Sequence, residues 1–327
     1  MNVPSAPAWS WSSDIAHHVT ITKSQVAVVR WDTPADPVIL NRPSVEKSLD
    51  DFYRFLSNDR VQSSRSVVFH LLSLFRKVRS LSADAGIPDG HSSEVFLLVL
   101  ARLIFGDSFK LGKNDWGIGH RAEEYADLLN VRGLSTAIGQ VSGGASSTNS
   151  LQLFPALAVR HAGGLLFQEA HFELLRAPSL DFFGHIGAPE LNEVGRGGAH
   201  FTPPALARSL VEQSLSKVPN LDSRETLTVC DPACGSGVFL HEVLRALRRR
   251  SFAGKLILVG YDISPIAVSM AKFVLNCAAI DWKPFGGLTI SIEARDSLEG
   301  RIEEADLFVM NHLSFLGGLR PRGKGLS

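Results

Sequence analysis

The chain has 327 residues, of which 45% are hydrophobic and 20% are charged, and this composition excludes a disordered or fibrous protein and suits about two globular domains. Lysine plus arginine and aspartate plus glutamate both number 33, so no overall basic field attracts the chain to a polyanion, and any DNA binding must rest on local patches. The three cysteines show no disulfide or metal-site spacing, and the most apolar stretch, Val95 to Phe105, is about half the roughly 20 residues of a membrane span. We expect a cytoplasmic protein without a metal site or a membrane segment.

The first part of the chain divides into an irregular segment and a helical domain. Residues 1–43 mix proline, serine and tryptophan without a clear period, so we predict an irregular segment with one short strand at Gln25 to Trp31. Residues 44–190 are predicted to form a mainly helical domain. Between Ser44 and Ala85 apolar residues recur at spacings of three and four, which is typical of amphipathic helices.

The rest of the helical domain contains one buried helix and a loop. One helix is predicted to begin at Ser92 or Ser93 and to end at Phe105. We expect this helix to be buried, because it is apolar on almost every side. Glycine and serine are frequent between Gly133 and Asn149, which predicts a loop. Two further helices are predicted, at Leu151 to Ala162 and at Gly164 to Leu175.

Beyond Gly195 strands and helices alternate, and this alternation predicts an α/β domain with a parallel, doubly wound sheet over residues 195–311. Residues 312–327 are predicted to be an irregular tail. The elements expected in the domain are a helix at Ala205 to Leu215, a strand at Leu227 to Cys230, a helix at Val238 to Arg249, a strand at Lys255 to Tyr261, a helix at Pro265 to Cys277, and strands at Leu288 to Glu293 and Asp306 to Met310.

A glycine-rich loop, D-P-A-C-G-S-G at Asp231 to Gly237, lies between an apolar strand and a helix. Glycines let a ligand approach the backbone closely, and in open α/β sheets ligands bind at this end of the strands. Two glycines in such a turn are weak evidence alone, since many strand-to-helix turns contain them. The next strand, however, ends in Asp262, where an acid can accept hydrogen bonds from ribose hydroxyls. The loop and the acid together predict a nucleotide-type cofactor, and the glycine pattern differs from that of dinucleotide and P-loop sites.

This loop resembles the first motif of the adenine-N6 DNA methyltransferases of restriction-modification systems. Three further segments resemble motifs of that family in the expected order: Gly198 to Ala207, Asp262 to Ala267 and Arg295 to Leu298. The specific resemblance covers residues 195–311, whereas residues 44–190 resemble only loosely the helical leader of type I and type IIG-like modification subunits. It implies an incomplete doubly wound, Rossmann-like S-adenosylmethionine-dependent methyltransferase sheet, preceded by a mainly helical domain.

The resemblance implies S-adenosylmethionine as the cofactor and DNA as the partner, and it leaves open a separate specificity or restriction subunit. The site residues that it implies are Phe201 and Thr202 at the methionine end of the cofactor, Asp231, Ala233, Gly235 and Gly237 in the cofactor loop, Asp262 at the ribose, Ile263 against the adenine ring, Asp296 at the adenine amine, and Asn311 at the catalytic position.

The catalytic motif of the family is Asn-Pro-Pro followed by Phe or Tyr, and the chain departs from it. Asn311 is present, but His312 to Phe315 follows, so both prolines are missing. The motif supplies acceptors that polarise the adenine amine and a ring that stacks on the flipped base. We expect the chain to be truncated at this motif and weakly active or inactive. Back-translation permits a one-nucleotide deletion after the Asn311 codon, and we hypothesise that it shifted the frame of residues 312–327.

Two other functions remain open. A methyltransferase that acts on a glutamine amide in protein, or on RNA, shares the Asn-Pro-Pro-aromatic pattern, although the long helical leader favours DNA. A non-catalytic remnant that binds S-adenosylmethionine is the other alternative, because the prolines of the catalytic motif are absent.

Overall fold

The computed structural model describes residues 17–30, 37–58, 64–106, 109–112, 115–141, 159, 166–167, 169–171, 173–174, 202–299 and 302–311. These residues form a small antiparallel sheet, a helical part and an α/β part.

The antiparallel sheet has three strands, β1 (His17–Ile21), β2 (Gln25–Arg30) and β3 (Val38–Asn41), in the order β1-β2-β3. The strand predicted at Gln25 is therefore confirmed, but the irregular structure predicted around it is wrong over the other two strands. The reason is tertiary: Val26, Val28 and Val29 are buried, and this valine-rich strand pairs with neighbours whose own sequence shows no clear period.

The helical part begins directly after this sheet. Its helices are α1 (Arg42–Lys47), α2 (Leu49–Asn58), α3 (Ser64–Asp84), α4 (Asp89–Phe105), α5 (Ala122–Val131) and α6 (Leu134–Val141).

Two details of the helical part differ from the predictions. Helix α4 begins at Asp89, before the predicted serines, because the extended Pro88 ends the preceding turn. The loop predicted from Gly133 is wrong over α6, since Gly133 with φ of 104° separates α5 from α6, and Leu134 is buried at the start of α6. The two helices predicted between Leu151 and Leu175 lie largely outside the described residues.

The α/β part contains a parallel sheet of four strands in the order β6-β5-β4-β7. The predicted alternation is confirmed throughout, and β7 is shorter than expected because only Leu307 and Phe308 pair with β4. The elements are α7 (Pro204–Ser216), β4 (Thr226–Asp231), α8 (Val238–Arg249), β5 (Lys255–Asp262), α9 (Pro265–Asp281), β6 (Leu288–Ala294) and β7 (Leu307–Phe308).

Helix α9 is shared by the two hydrophobic cores. Its residues Met270, Phe273 and Val274 are buried among the helices of the helical part, whereas Ala271 and Leu275 are buried against the sheet. A helix that presents apolar residues on two faces must be covered on both. The helical part and the sheet are therefore packed on opposite sides of one helix.

The segment that follows α4 locks this contact. The Lys272 ammonium lies 2.7 Å from the Asp115 carboxylate, and the Asn276 amide donates to the Asp115 carbonyl at 2.9 Å. Gly117 has a positive φ of 69°, and the backbone of Ser269 leaves no room there for a side chain. Among the described residues, no helix has both the length and the apolar character needed to cross a bilayer.

Candidate cofactor and catalytic site

The candidate site lies where the order of the parallel strands reverses. The chain runs from β4 outward through β5 to β6, and then returns to the opposite side of β4 to form β7. In open α/β sheets, ligands bind outside the carboxyl ends of the strands at such a reversal. Asp231 and Asp262 are the last residues of β4 and β5, and Asn311 lies three residues after β7, so the fold brings all three to this edge.

The glycine loop between β4 and α8 is held in a narrow turn. Gly235 and Gly237 have φ of 51° and 82°, which L side chains rarely adopt. The Cys234 N–H donates to the Tyr261 carbonyl at 2.8 Å, and a Cβ at Gly237 would lie 3.2 Å from the Ala271 Cβ. The loop therefore packs on both β5 and α9, and it has no side chains at the two glycines.

Asp262 connects the loop to the next turn. One of its carboxylate oxygens accepts from the Gly235 N–H at 2.9 Å, and the other accepts from the Ser264 N–H at 2.8 Å. A carboxylate has about four lone-pair sites, so acceptor capacity remains for the hydroxyl groups of a ligand. The sequence predicted the proximity of the loop and this acid, and the structure shows them in direct contact.

Asp231 is a buried carboxylate with too few donors. Asp231 is 1% exposed. Its Oδ1 accepts from the Ala233 N–H at 3.1 Å, and its Oδ2 has no hydrogen-bond partner among the described residues. Burial raises the pKa of Asp231 to about 7; the Ala233 N–H lowers it, and the nearby Asp262 raises it further. A buried oxygen without a partner is costly, so this position favours a ligand that brings a donor or a positive charge.

The turn after β6 lies beside Asp262. The Arg295 N–H donates to the Asp262 carbonyl at 2.9 Å, and the Asp296 carboxylate accepts from the Leu298 N–H at 2.8 Å. Asp296 is exposed, and Ile263 is 76% exposed, so both are accessible at this edge. The Arg295 guanidinium carbon lies 3.8 Å from the centroid of the Tyr261 ring, so the arginine stacks on this ring.

Asn311 is held by a residue from the segment before α7. The Val309 N–H donates to the Cys230 carbonyl at 2.9 Å, which keeps the chain beside β4 as it approaches Asn311. The Asn311 amide then donates to the Thr202 hydroxyl at 2.8 Å. Thr202 is buried, at 5% exposed. The structure therefore brings these two predicted site residues together, whereas Phe201 and Phe315 lie outside the described residues.

A contact from the helical part reaches this site, and no sequence pattern indicates it. His171 Nε2 lies 3.1 Å from the Ser264 hydroxyl, which also accepts from the Ala267 N–H as the cap of α9. Burial holds the pKa of His171 below its usual value, and the nearby Asp262 only partly offsets this effect. A single histidine in an apolar helical stretch has no spacing that marks it as functional, so only the tertiary structure identifies this contact.

A buried ion pair fixes α7 on α8. The Arg208 guanidinium bonds the two oxygens of Glu242 at 3.0 and 3.4 Å, and both residues are 3% exposed. Arg245 adds a third contact to Glu242 at 2.8 Å. Burial acts to raise the pKa of Glu242, but Arg245 and Arg208 hold it below its usual value. Arg245 therefore faces the buried carboxylate, although it lies next to the basic end of α8.

The described part of the chain contains no group of three histidine, cysteine or acidic side chains placed to hold a metal ion.

The segment that contains the site is similar to one known family. The profile of the family described as N-6 DNA Methylase matches residues 188–311. No protein among the curated sequences matches the chain.

Two solved structures are similar to the chain at low sequence identity. A protein described as a class I S-adenosylmethionine-dependent methyltransferase from Listeria monocytogenes is 14% identical, with a TM-score of 0.36 over 74% of this chain and 58% of that one. A type I restriction-modification system methyltransferase subunit from Streptococcus thermophilus is 13% identical, with a TM-score of 0.34 over 76% of this chain and 63% of that one. The chain therefore spans less than two thirds of the length of either protein.

Proposed function

We propose that this chain, whose residues 188–311 match the model of the N-6 DNA methylase family, binds S-adenosylmethionine at the described site for methyl transfer to the adenine amine of DNA. We further propose that the parallel sheet is part of a doubly wound, Rossmann-like methyltransferase domain that operates in a restriction-modification system. The proposed partner is DNA, and a separate specificity or restriction subunit is a further candidate partner.

One observation carries the proposal. The Asp262 carboxylate accepts from the backbone of the glycine loop and from the turn before α9, at the edge where Asn311 and Asp231 also lie. Ile263 and the turn of Asp296 are both neighbours of Asp262, so these groups would be available to an adenosine whose ribose meets this carboxylate. This arrangement supports Asp262 as the ribose ligand, Ile263 as the surface against the adenine ring and Asp296 as the acceptor for the adenine amine.

The buried Asp231 supports the same cofactor at its other end. S-adenosylmethionine carries an ammonium group on its methionine portion, and the Oδ2 of Asp231 lacks a donor. We assign Asp231, with the backbone at Ala233, Gly235 and Gly237, to the cofactor loop. We keep Phe201 and Thr202 as the residues proposed for the methionine end.

The bound cofactor supplies an electrophilic methyl group, and the residues of the chain position the amine that accepts it. A side-chain amide oxygen of Asn311 accepts a hydrogen bond from the adenine amine and so increases the electron density on its nitrogen. The base must leave the DNA helix to reach this position. Because His312 and the residues that follow replace the two prolines, one acceptor of the family pattern is not fixed, and we expect a low transfer rate.

Two measurements test the proposal. Calorimetry with S-adenosylmethionine measures cofactor binding, and tritiated S-adenosylmethionine measures methyl transfer to DNA, RNA and a glutamine-containing protein substrate. We expect binding and a slow, DNA-dependent transfer that yields N6-methyladenine after digestion to nucleosides. Label in RNA or in protein glutamine favours the second candidate function, and binding without any transfer favours a non-catalytic remnant. The absence of binding contradicts all three.

We predict that S-adenosylmethionine binds more tightly as the pH rises from about 5.5 to about 7. In the free protein Asp231 has a pKa raised to about 7, so the carboxylate is protonated below that pH. An ammonium group favours the ionised carboxylate, so binding releases a proton, and the affinity rises by up to about tenfold per pH unit before it levels off. Calorimetry in two buffers with different heats of ionisation measures the proton release. Asp231→Asn should remove the slope, and an unchanged slope in that variant contradicts the assignment.

A further inference from the structure

We propose that Thr202 orients the side-chain amide of Asn311, so that the amide oxygen and not the NH₂ group faces the target amine. The inference rests on the proposed methyl transfer and adds a positioning role to a residue that the family resemblance places at the cofactor. Its basis is the 2.8 Å hydrogen bond from the Asn311 Nδ2 to the Thr202 Oγ1.

The chemistry of the amide makes such a contact necessary. The two ends of an asparagine amide have nearly the same shape, but one end only accepts and the other only donates hydrogen bonds. An amine that attacks a methyl group needs an acceptor beside it, so the wrong end of Asn311 presents a donor and blocks the reaction. A partner that holds Nδ2 leaves Oδ1 to face the substrate.

Thr202 is suited to this task because it is itself held firmly. It is 5% exposed, so water competes little for its hydroxyl. Pro203 and Pro204 follow and lead into α7, and the buried Arg208 in α7 bonds Glu242 of α8. The ion pair therefore fixes the start of α7 against the helix that follows the glycine loop.

Asn311 needs an outside partner because its own strand is short. Strand β7 has two residues, and beyond the contact of Val309 with Cys230 the described structure holds Asn311 through Thr202. A threonine hydroxyl both donates and accepts, however, so the identity of the bonded amide end must be measured directly.

Nuclear magnetic resonance of the full chain labelled with ¹⁵N-asparagine makes this measurement. Asn311→Asp removes one side-chain signal and thereby assigns it. We expect the assigned NH₂ protons to be protected from exchange with water in the native chain. In Thr202→Val, which keeps the shape but lacks the hydroxyl, the signal should move and its exchange should become about fivefold faster, as expected for the loss of one hydrogen bond. Thr202→Ser keeps the hydroxyl, so this variant should retain the native signal and exchange rate.

Thr289→Val is the matched control, since Thr289 is an exposed residue of β6 and loses the same hydroxyl. An Asn311 signal that is unchanged in Thr202→Val overturns the proposal, and so does a Thr202→Ser variant that resembles Thr202→Val. Calorimetry with S-adenosylmethionine on the same samples separates this proposal from the proposed function. If the native chain does not bind the cofactor, the proposed function fails, while the resonance of Asn311 still decides which amide end Thr202 holds.

Discussion

Asp262→Asn should reduce the affinity for S-adenosylmethionine on the order of 100-fold, because each hydrogen bond to a charged group contributes about 1.5–3 kcal/mol. The native carboxylate accepts from the N–H groups of Gly235 and Ser264. An asparagine amide accepts at one end only, so its NH₂ group faces one of these N–H groups. The glycine loop or the turn before α9 must then move, and the proposed ribose contact loses its charge. Isothermal titration calorimetry measures the change.

Asp222→Asn provides the matched control for this result. Asp222 is exposed in the short 3-10 helix Leu221–Ser223, ahead of β4 and at the opposite end of that strand from the glycine loop. The same chemical change there should leave the affinity within about twofold, since surface substitutions usually have small effects. An Asp262→Asn variant that is folded by circular dichroism and binds the cofactor as tightly as the control contradicts the role of Asp262.

Phe273→Ala should destabilise the protein by about 3–5 kcal/mol, which is the usual cost of removing a buried phenylalanine ring. Phe273 is completely buried, and its ring centroid lies 5.9 Å from that of Trp116 and 5.8 Å from that of Phe167. It belongs to α9, which also packs on the sheet. Urea unfolding followed by tryptophan fluorescence and by circular dichroism should show one earlier transition for both signals, because the two cores share this helix.

Phe285→Ala is the control for the ring deletion. Phe285 is 100% exposed in the turn between α9 and β6, so its loss should change the free energy of unfolding by no more than about 0.5 kcal/mol. If the two variants are equally stable, or if Phe273→Ala separates the unfolding into two transitions, the shared core does not couple the helical part to the sheet.

Local sequence was sufficient for the α/β part. The strand before Asp231 is rich in apolar and β-branched residues, and the strand that ends in Asp262 is a continuous apolar run. The capping residues Ser264 and Pro265 mark the start of α9. These signals depend on neighbours in the sequence, so they can be recognised without the fold. The same is true of the glycine loop and the acid at the end of β5, whose spacing indicated a common ligand before their contact was visible.

The errors arose where the structure depends on distant partners. The strand Val38–Asn41 is stabilised by its pairing with β2, and α6 by the burial of Leu134, and neither shows a clear local pattern. In each case a tertiary contact outweighed a weak local preference.

The amino-acid sequence by itself determined the alternation of strands and helices, the conformation of the glycine loop and the identity of the acids at the strand ends, because these depend on local periodicity and backbone sterics. The tertiary structure alone decided that α9 serves two cores, that His171 reaches Ser264, and that Asn311 bonds Thr202, which lies 109 positions earlier in the chain. Such contacts form when packing brings distant segments to one edge of the sheet, and no local pattern of residues specifies them.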